Sequence, residues 1–501
     1  MAAPLYQVDA RVWLREESAR ERRPVRLDTI ASATLDAIAG QGFGWLWLRA
    51  VWDTGRAARE VASRRAPWLE EHAEALPDVG LQDIDGSPFA VRGYRVRSDL
   101  GGDDALEALR DDLARRGLRL LLDVVMSHAA LDHPWTREMP ELFIGGSEED
   151  LRREPGRWHR TPGGAVIAHP EDSTGAPAPD AAAFNYRHEG LRRAMLQEIE
   201  RVASVADGVC AVGAALALPG RAEAVWGERS APRDGSPPAG GSFWLEALPR
   251  VRAARPASVF IAEAPGDSRA ALEEVGFDSV EDETLLDLLL SGDAGAVRAH
   301  LEGVAGRGGA KGLHFLESHG RRRAAGVFPP FLQPAASVVA FLSAPRALLH
   351  HGQLEGRRVR HHVHLTRRAD EAPDRDLDAF HQRLVEVLAR SEVERGPWRM
   401  LPVREAWEGN GTAAQIIAGL HRGAGGEATL SAVNFGPGRA QGYVDLSSLE
   451  TRGRRLIFQD LFSVERHERE GDDIAQRGLY VDLPAWDYNI FEVVMTPPSA
   501  S

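Results

Sequence analysis

A single cysteine, Cys210, stands among 501 residues, which excludes an intrachain disulfide and any cysteine-built metal cage. Lysine is as scarce. Lys311 is the only one, so arginine carries nearly all the basic charge, a bias that says nothing about mechanism. The segment Met1-Ala-Ala-Pro-Leu-Tyr6 has no basic stretch followed by an apolar core, so no signal peptide is expected. No apolar run reaches the roughly 20 residues of a membrane-spanning helix. Bases are outnumbered, 60 against 74 acids, for a formal charge of -14. A surface of that sign repels phosphate backbones and anionic headgroups, which argues against nucleic acid and membrane as partners. The expected home is a reducing cytoplasm.

What is present is an ordinary globular composition, 43% hydrophobic and 27% charged, on a chain too long for one compact core. Short apolar or β-branched runs alternate with longer amphipathic stretches, and the cycle repeats eight times. The predicted strands are Leu5 to Val8, Phe43 to Leu48, Leu118 to Val125, Gly208 to Val212, Val259 to Ala264, Phe277 to Val280, Gly312 to Leu316 and Ala347 to His350. Between them, apolar residues recur at helical spacing in Leu27 to Ala39, Ala105 to Arg116, Leu191 to Ala206, Phe243 to Ala254, Ala294 to Glu302 and Ala335 to Leu342. A doubly wound sheet also alternates strand and helix, but eight units over this length favour a closed (β/α)8 barrel.

Residues 129–185 break the rhythm, being rich in proline, glycine and charge, and are expected to form a subdomain inserted after the third strand. Past about Pro397 strand-like runs such as Thr429 to Phe435, Arg455 to Asp460 and Asn489 to Met495 alternate with turns. The expected organisation is a barrel from 1–128 and 186–396, the insertion 129–185, and a C-terminal antiparallel β-sandwich domain 397–501.

Short segments at strand ends carry the functional signal. They are Gly86-Ser-Pro-Phe-Ala-Val-Arg-Gly-Tyr94, Asp123-Val-Val-Met-Ser-His128, Gly208-Val-Cys-Ala-Val212, Phe260-Ile-Ala-Glu263 and Phe315-Leu-Glu-Ser-His-Gly320. In this order they resemble the conserved regions of the α-amylase superfamily of glycoside hydrolases. The resemblance implies a cleft at the C-terminal ends of the strands, with Glu263 as general acid/base and Asp123, His128, His319, Phe89 and Tyr94 near the sugar. It also implies three losses. Val212 stands at the nucleophile position, Cys210 at the position of the arginine that orients it, and Gly320 where an aspartate stabilises developing charge. Ser127 replaces a usual asparagine.

Retaining hydrolysis needs one carboxylate to attack the anomeric carbon and a second carboxylic acid to protonate the leaving oxygen. Valine cannot attack, and loss of a covalent nucleophile removes roughly 5 to 8 kcal/mol of transition-state stabilisation. The retained residues admit two readings each. Glu263 is a working acid or a hydrogen-bonded remnant; His128 and His319 donate to sugar hydroxyls or are satisfied barrel-mouth histidines. Asp123 reads as structural and Cys210 as a small buried hydrophobe. The aromatics Phe89, Tyr94 and Trp135 stack on sugars or fill the core.

Within Arg357-Arg-Val-Arg-His-His-Val-His364, His362 and His364 would share one face of an extended strand. No third ligand is evident and the arginines oppose a cation, so the segment reads as a solvated loop and no metal or cofactor is expected. Two functions remain. One is a non-catalytic amylase-like protein that binds an α-glucan or maltooligosaccharide, or acts as a regulator or scaffold. The other is a hydrolase or glucanotransferase using Glu263 with a substitute carboxylate, Glu317 being nearest in sequence and Asp267 and Glu228 weaker options. No protein partner is identified.

Overall fold

The computed structural model describes residues 3–171, 175–306 and 311–496, so the last five residues of the expected C-terminal domain lie outside it. Eight parallel strands close into a barrel: β1 (Leu5–Asp9), β2 (Trp45–Arg49), β3 (Arg119–Val125), β4 (Gly208–Val212), β5 (Val259–Glu263), β6 (Ser279–Glu281), β7 (Gly312–Phe315) and β8 (Arg346–His350). Each pairs with its sequence neighbours, and β8 returns to β1 through Leu5 opposite Leu348. All eight expected runs form these strands, because strands covered on both faces must be almost continuously apolar. Every residue of Trp45–Arg49 is buried.

The helices that cover the barrel follow the same logic. Gly102–Arg115 buries Ala105, Leu106, Leu109 and Leu113, one stripe at three- and four-residue spacing. Gln333–Leu342 is buried all round, since it is wedged between the barrel and the C-terminal sheet, where His421 bonds the carbonyls of Leu342 at 2.7 Å and Gly396 at 3.1 Å. The expected helix from Leu27 divides into a short 3-10 turn, Leu27–Thr29, and a helix, Ser32–Gly40. Ile30 and Ala31 between them are extended.

After β3 the chain makes two small antiparallel pairs, His128–Ala130 with Ala181–Ala183 and Trp158–Arg160 with Val166–Ala168. The C-terminal region is an antiparallel six-stranded sheet facing a three-stranded one. A shared core that includes Ile416, Leu430, Val444, Phe458 and Val481 fills the space between them. A short helix, Gly471–Arg477, interrupts the strand pattern there. No helix among the described residues is long and apolar enough to cross a membrane.

Candidate active site

Register places the strand-end residues. Cys210 lies opposite Asp123 across the β3–β4 pair and opposite Ile261 across β4–β5, while Val212 lies beside Glu263. Val212 is thus an apolar side chain, 9% exposed, set in the wall next to the one retained candidate acid. Gly320 is exposed, and a Cβ built there meets nothing within 4 Å, so there is space for a side chain at this position.

The centre of the mouth is occupied by a residue that sequence reasoning missed. Arg49, the last residue of β2, points inward with its side chain 3% exposed. Its Nε donates to Asp123 Oδ2 at 2.9 Å, and a terminal nitrogen reaches Glu263 Oε2 at 3.5 Å. The other terminal nitrogen bonds His319 Nδ1, and His319 Nε2 lies 3.4 Å from Glu263 Oε1. Phe89 lies under the guanidinium, 4.9 Å from ring centroid to Cζ, and also packs against His319. Asp123 accepts a further bond from Trp47 Nε1 at 2.6 Å.

Arg49 therefore engages every strand-end group the family resemblance singles out on β3, on β5 and after β7. It also supplies Asp123 with a cation from β2, the neighbouring strand on the side opposite Cys210. The next residue, Ala50, has a left-handed backbone with φ 61°. Non-glycine residues seldom adopt that region without surrounding support, so the chain is held in a sharp turn immediately after Arg49.

Charge in this cluster is set by burial. Burial opposes the guanidinium's charge, but Asp123 and Glu263 outweigh it and hold the Arg49 pKa up. Burial also pushes Asp123 up against the pull of Arg49, and lifts Glu263 from 4.5 to about 7. The Asp123 and Glu283 charges contribute to that rise, and a second missed group lies nearby. Glu281, the last residue of β6, is a buried carboxyl whose pKa is driven well above normal by burial and by the neighbouring Glu263 charge. Its Oε1 has no hydrogen-bond partner. Burial first, and then Asp123, Glu263 and Glu281, raise the Cys210 thiol well above its usual range, which leaves it an inert apolar filler.

The other candidates separate from this cluster. The Tyr94 hydroxyl is buried, donating to the Val125 carbonyl at 3.3 Å and accepting from its N–H at 2.8 Å, so it props β3 and is not exposed to a ligand. His128 bonds Ser127 Oγ at 2.7 Å, and burial lowers its pKa to about 4. Trp135 packs on His133 at 4.5 Å. Among the substitute carboxylates, Glu317 is buried against Arg323 at 3.0 Å and accepts from the Ala324 N–H at 2.6 Å. Asp267 pairs with Arg221 at 2.9 Å. Glu228 sits in the 3-10 turn Gly227–Ser230.

Beside Arg49 a small cavity of about 40 Å³ opens, lined by Phe89, His319 and a cationic wall that includes Arg321, Arg357 and Arg360. Arg357 and Arg360 make no ion pair with an acid among the described residues.

A closed eight-stranded parallel barrel with an antiparallel C-terminal domain and a cleft at the strand ends is the architecture of α-amylases, and comparison of whole structures agrees. The chain matches a maltogenic α-amylase from Thermotoga neapolitana at 15% identity and TM-score 0.65, over 98% of each chain. It matches an α-amylase from Lactobacillus plantarum at 17% identity and TM-score 0.63, over 98% of this chain and 99% of that one. A Geobacillus thermoleovorans α-amylase, solved with acarbose, matches at 12% identity and TM-score 0.63 over 98% of both. The likeness is one of fold; no protein-family model and no curated protein matches the sequence.

Proposed function

We propose that this protein is a non-hydrolysing member of the α-amylase fold that binds an α-glucan or maltooligosaccharide at the barrel mouth and serves as a regulator or scaffold. The observation that carries the reading is Arg49. With Val212 at the nucleophile position, Asp123 and Glu263 are both engaged by a buried guanidinium and Glu281 is itself buried, so neither engaged carboxyl is free to attack an anomeric carbon. The structural neighbours are α-amylases, one solved with acarbose, which supports a carbohydrate ligand for the cleft. Arg357 and Arg360 add attraction for negative charge, so α-glucose 1-phosphate is expected to compete with maltoheptaose.

The test is hydrolysis of 4-nitrophenyl α-glucoside and maltoheptaose by purified protein, with calorimetric titration of maltoheptaose in parallel. Binding without turnover is expected. Turnover that disappears in Glu263→Gln would overturn the reading. A second reading has one observation in its favour: a carboxyl titrating near pH 7, as Glu263 does, is suited to general acid catalysis at neutral pH. In that case Glu281 is the partner carboxyl, and Glu281→Gln abolishes turnover as completely as Glu263→Gln.

A further inference from the structure

Three histidines far apart in sequence converge on the rim of the barrel mouth. His72 lies on the helix Ala66–Ala75, which follows β2, and is 0% exposed. His362 and His364 come from the loop that follows β8. The segment is a loop, as expected from sequence, but it is not solvated throughout, because His364 is buried. The fold folds them onto His72, the third ligand that the sequence pattern did not reveal.

We propose that His72, His362 and His364 form a binding site for one divalent transition-metal ion of the zinc class, which ties the rim loop to the barrel. One nitrogen from each ring lies within 4.8 Å of the other two, and His72 Nε2 is 3.2 Å from His364 Nδ1. In a tetrahedral zinc site with Zn–N of about 2.0–2.1 Å, neighbouring nitrogens are about 3.3–3.4 Å apart. One pair already has that spacing, and small ring shifts bring in the third.

His72 and His364 have few competing partners, while His362 Nδ1 accepts the His364 backbone N–H at 3.3 Å. His72 Nδ1 is buried and has no hydrogen-bond partner. The His72 and His364 rings otherwise satisfy one another, and His364 is 4% exposed beneath Trp68, with ring centroids 4.3 Å apart. Glu71, one residue before His72, has its Oε2 3.1 Å from His362 Nε2. It is placed to supply a carboxylate as fourth ligand or to orient the His362 ring.

The arginines of the sequence run, Arg357, Arg358 and Arg360, form no ion pair with an acid among the described residues, but two other arginines of this region, one of which bonds the Val363 carbonyl, are paired. Arg11 pairs with Asp9 at 2.9 Å, and Arg367 with Asp78 at 3.1 Å and Asp83 at 3.0 Å. The consequence of binding is local order. The loop carrying His362 and His364 also contributes Val359, Arg360, His361 and Val363 to the cavity wall, so a metal clamp fixes that wall in place.

The experiment uses the full-length, tag-free protein stripped with EDTA and titrated with Zn(II) by calorimetry and with Co(II) by visible absorption. One equivalent of zinc, bound with a dissociation constant below about 1 μM, is expected, with the d–d bands of tetrahedral cobalt and a higher Tm. His72→Gln and His364→Gln are each expected to abolish the cobalt bands and the zinc-induced Tm shift, while His467→Gln, in the C-terminal sheet, leaves both unchanged. Absence of stoichiometric binding to the wild type overturns the proposal, as does binding that survives both substitutions. If a variant fails to fold, the wild-type stoichiometry and cobalt spectrum decide alone.

Discussion

Replacing Arg49 by methionine keeps most of the side chain's apolar stem and removes its charge, so the loss isolates the ion-pair network. Two carboxyls depend on that charge: Asp123, 6% exposed and bonded at 2.9 Å, and Glu263, 21% exposed at 3.5 Å. Removing one partner of a buried pair costs about 3–5 kcal/mol, because a buried charge is left uncompensated. Asp123 keeps its bond from Trp47, and Glu263 can take up a proton near neutral pH, so the lower half of that range is expected at pH 7. The assay is urea denaturation of the barrel, followed by fluorescence of the chain's 12 tryptophans. The double variant Arg49→Met, Asp123→Asn should recover about 2 kcal/mol of the loss, since the amide needs no countercharge. A single-variant loss under about 1 kcal/mol, or strictly additive losses in the double variant, would refute the view that Arg49 holds the cluster together.

Glu263→Gln tests the charge state. Burial raises the folded pKa from 4.5 to about 7, so the carboxyl's contribution to stability is complete below about pH 4.5 and is lost as pH rises through 7. The variant should match wild type at pH 4.5 and exceed it at pH 8 by at most about 3 kcal/mol, at 1.36 kcal/mol per pKa unit; equal stability at pH 8 in urea titrations contradicts the assignment. Restoring carboxylates with Val212→Asp and Gly320→Asp together should give no 4-nitrophenol release above wild type, because Arg49 still engages Glu263, and turnover by this variant would show that Arg49 does not block the centre. Cys210 should resist a disulfide reagent in the folded protein and react on unfolding, whereas stoichiometric labelling under native conditions would show that the strand opens.

The eight strands were legible because a strand covered on both faces leaves a continuous apolar run, and Leu120–Leu122 or Val209–Ala211 cannot easily be anything else. The placement of Cys210 beside Asp123 and of Val212 beside Glu263 was legible for a related reason, since register between neighbouring strands fixes both pairs. Arg49 was not legible. Its meaning depends on barrel closure, which brings it against His319, 270 residues away, and a single arginine after Trp-Leu-Trp-Leu reads equally well as a strand end reaching solvent. The available hint was phase, since Arg49 shares a face with Trp47, whose indole binds Asp123. Glu281 fell one residue beyond the expected end of its strand. His72 lay on a helix with no motif, so only the fold could connect it to His362 and His364.

Arg49 also bears on how the barrel accommodates Asp123. A buried carboxylate must be hydrogen-bonded or paired whether or not it does chemistry, and Cys210, opposite Asp123 on β4, offers it no cation. Two arrangements are physically open: no carboxylate at this position, or a cation from the other side. This chain has the second, and the arrangement has directional consequences. The guanidinium reaching in from β2 bonds both Asp123 and Glu263, and the cationic wall formed by the loops after β7 and β8 lines the pocket beside it. On the proposed function, a ligand is therefore met at that wall and not between the two carboxyls.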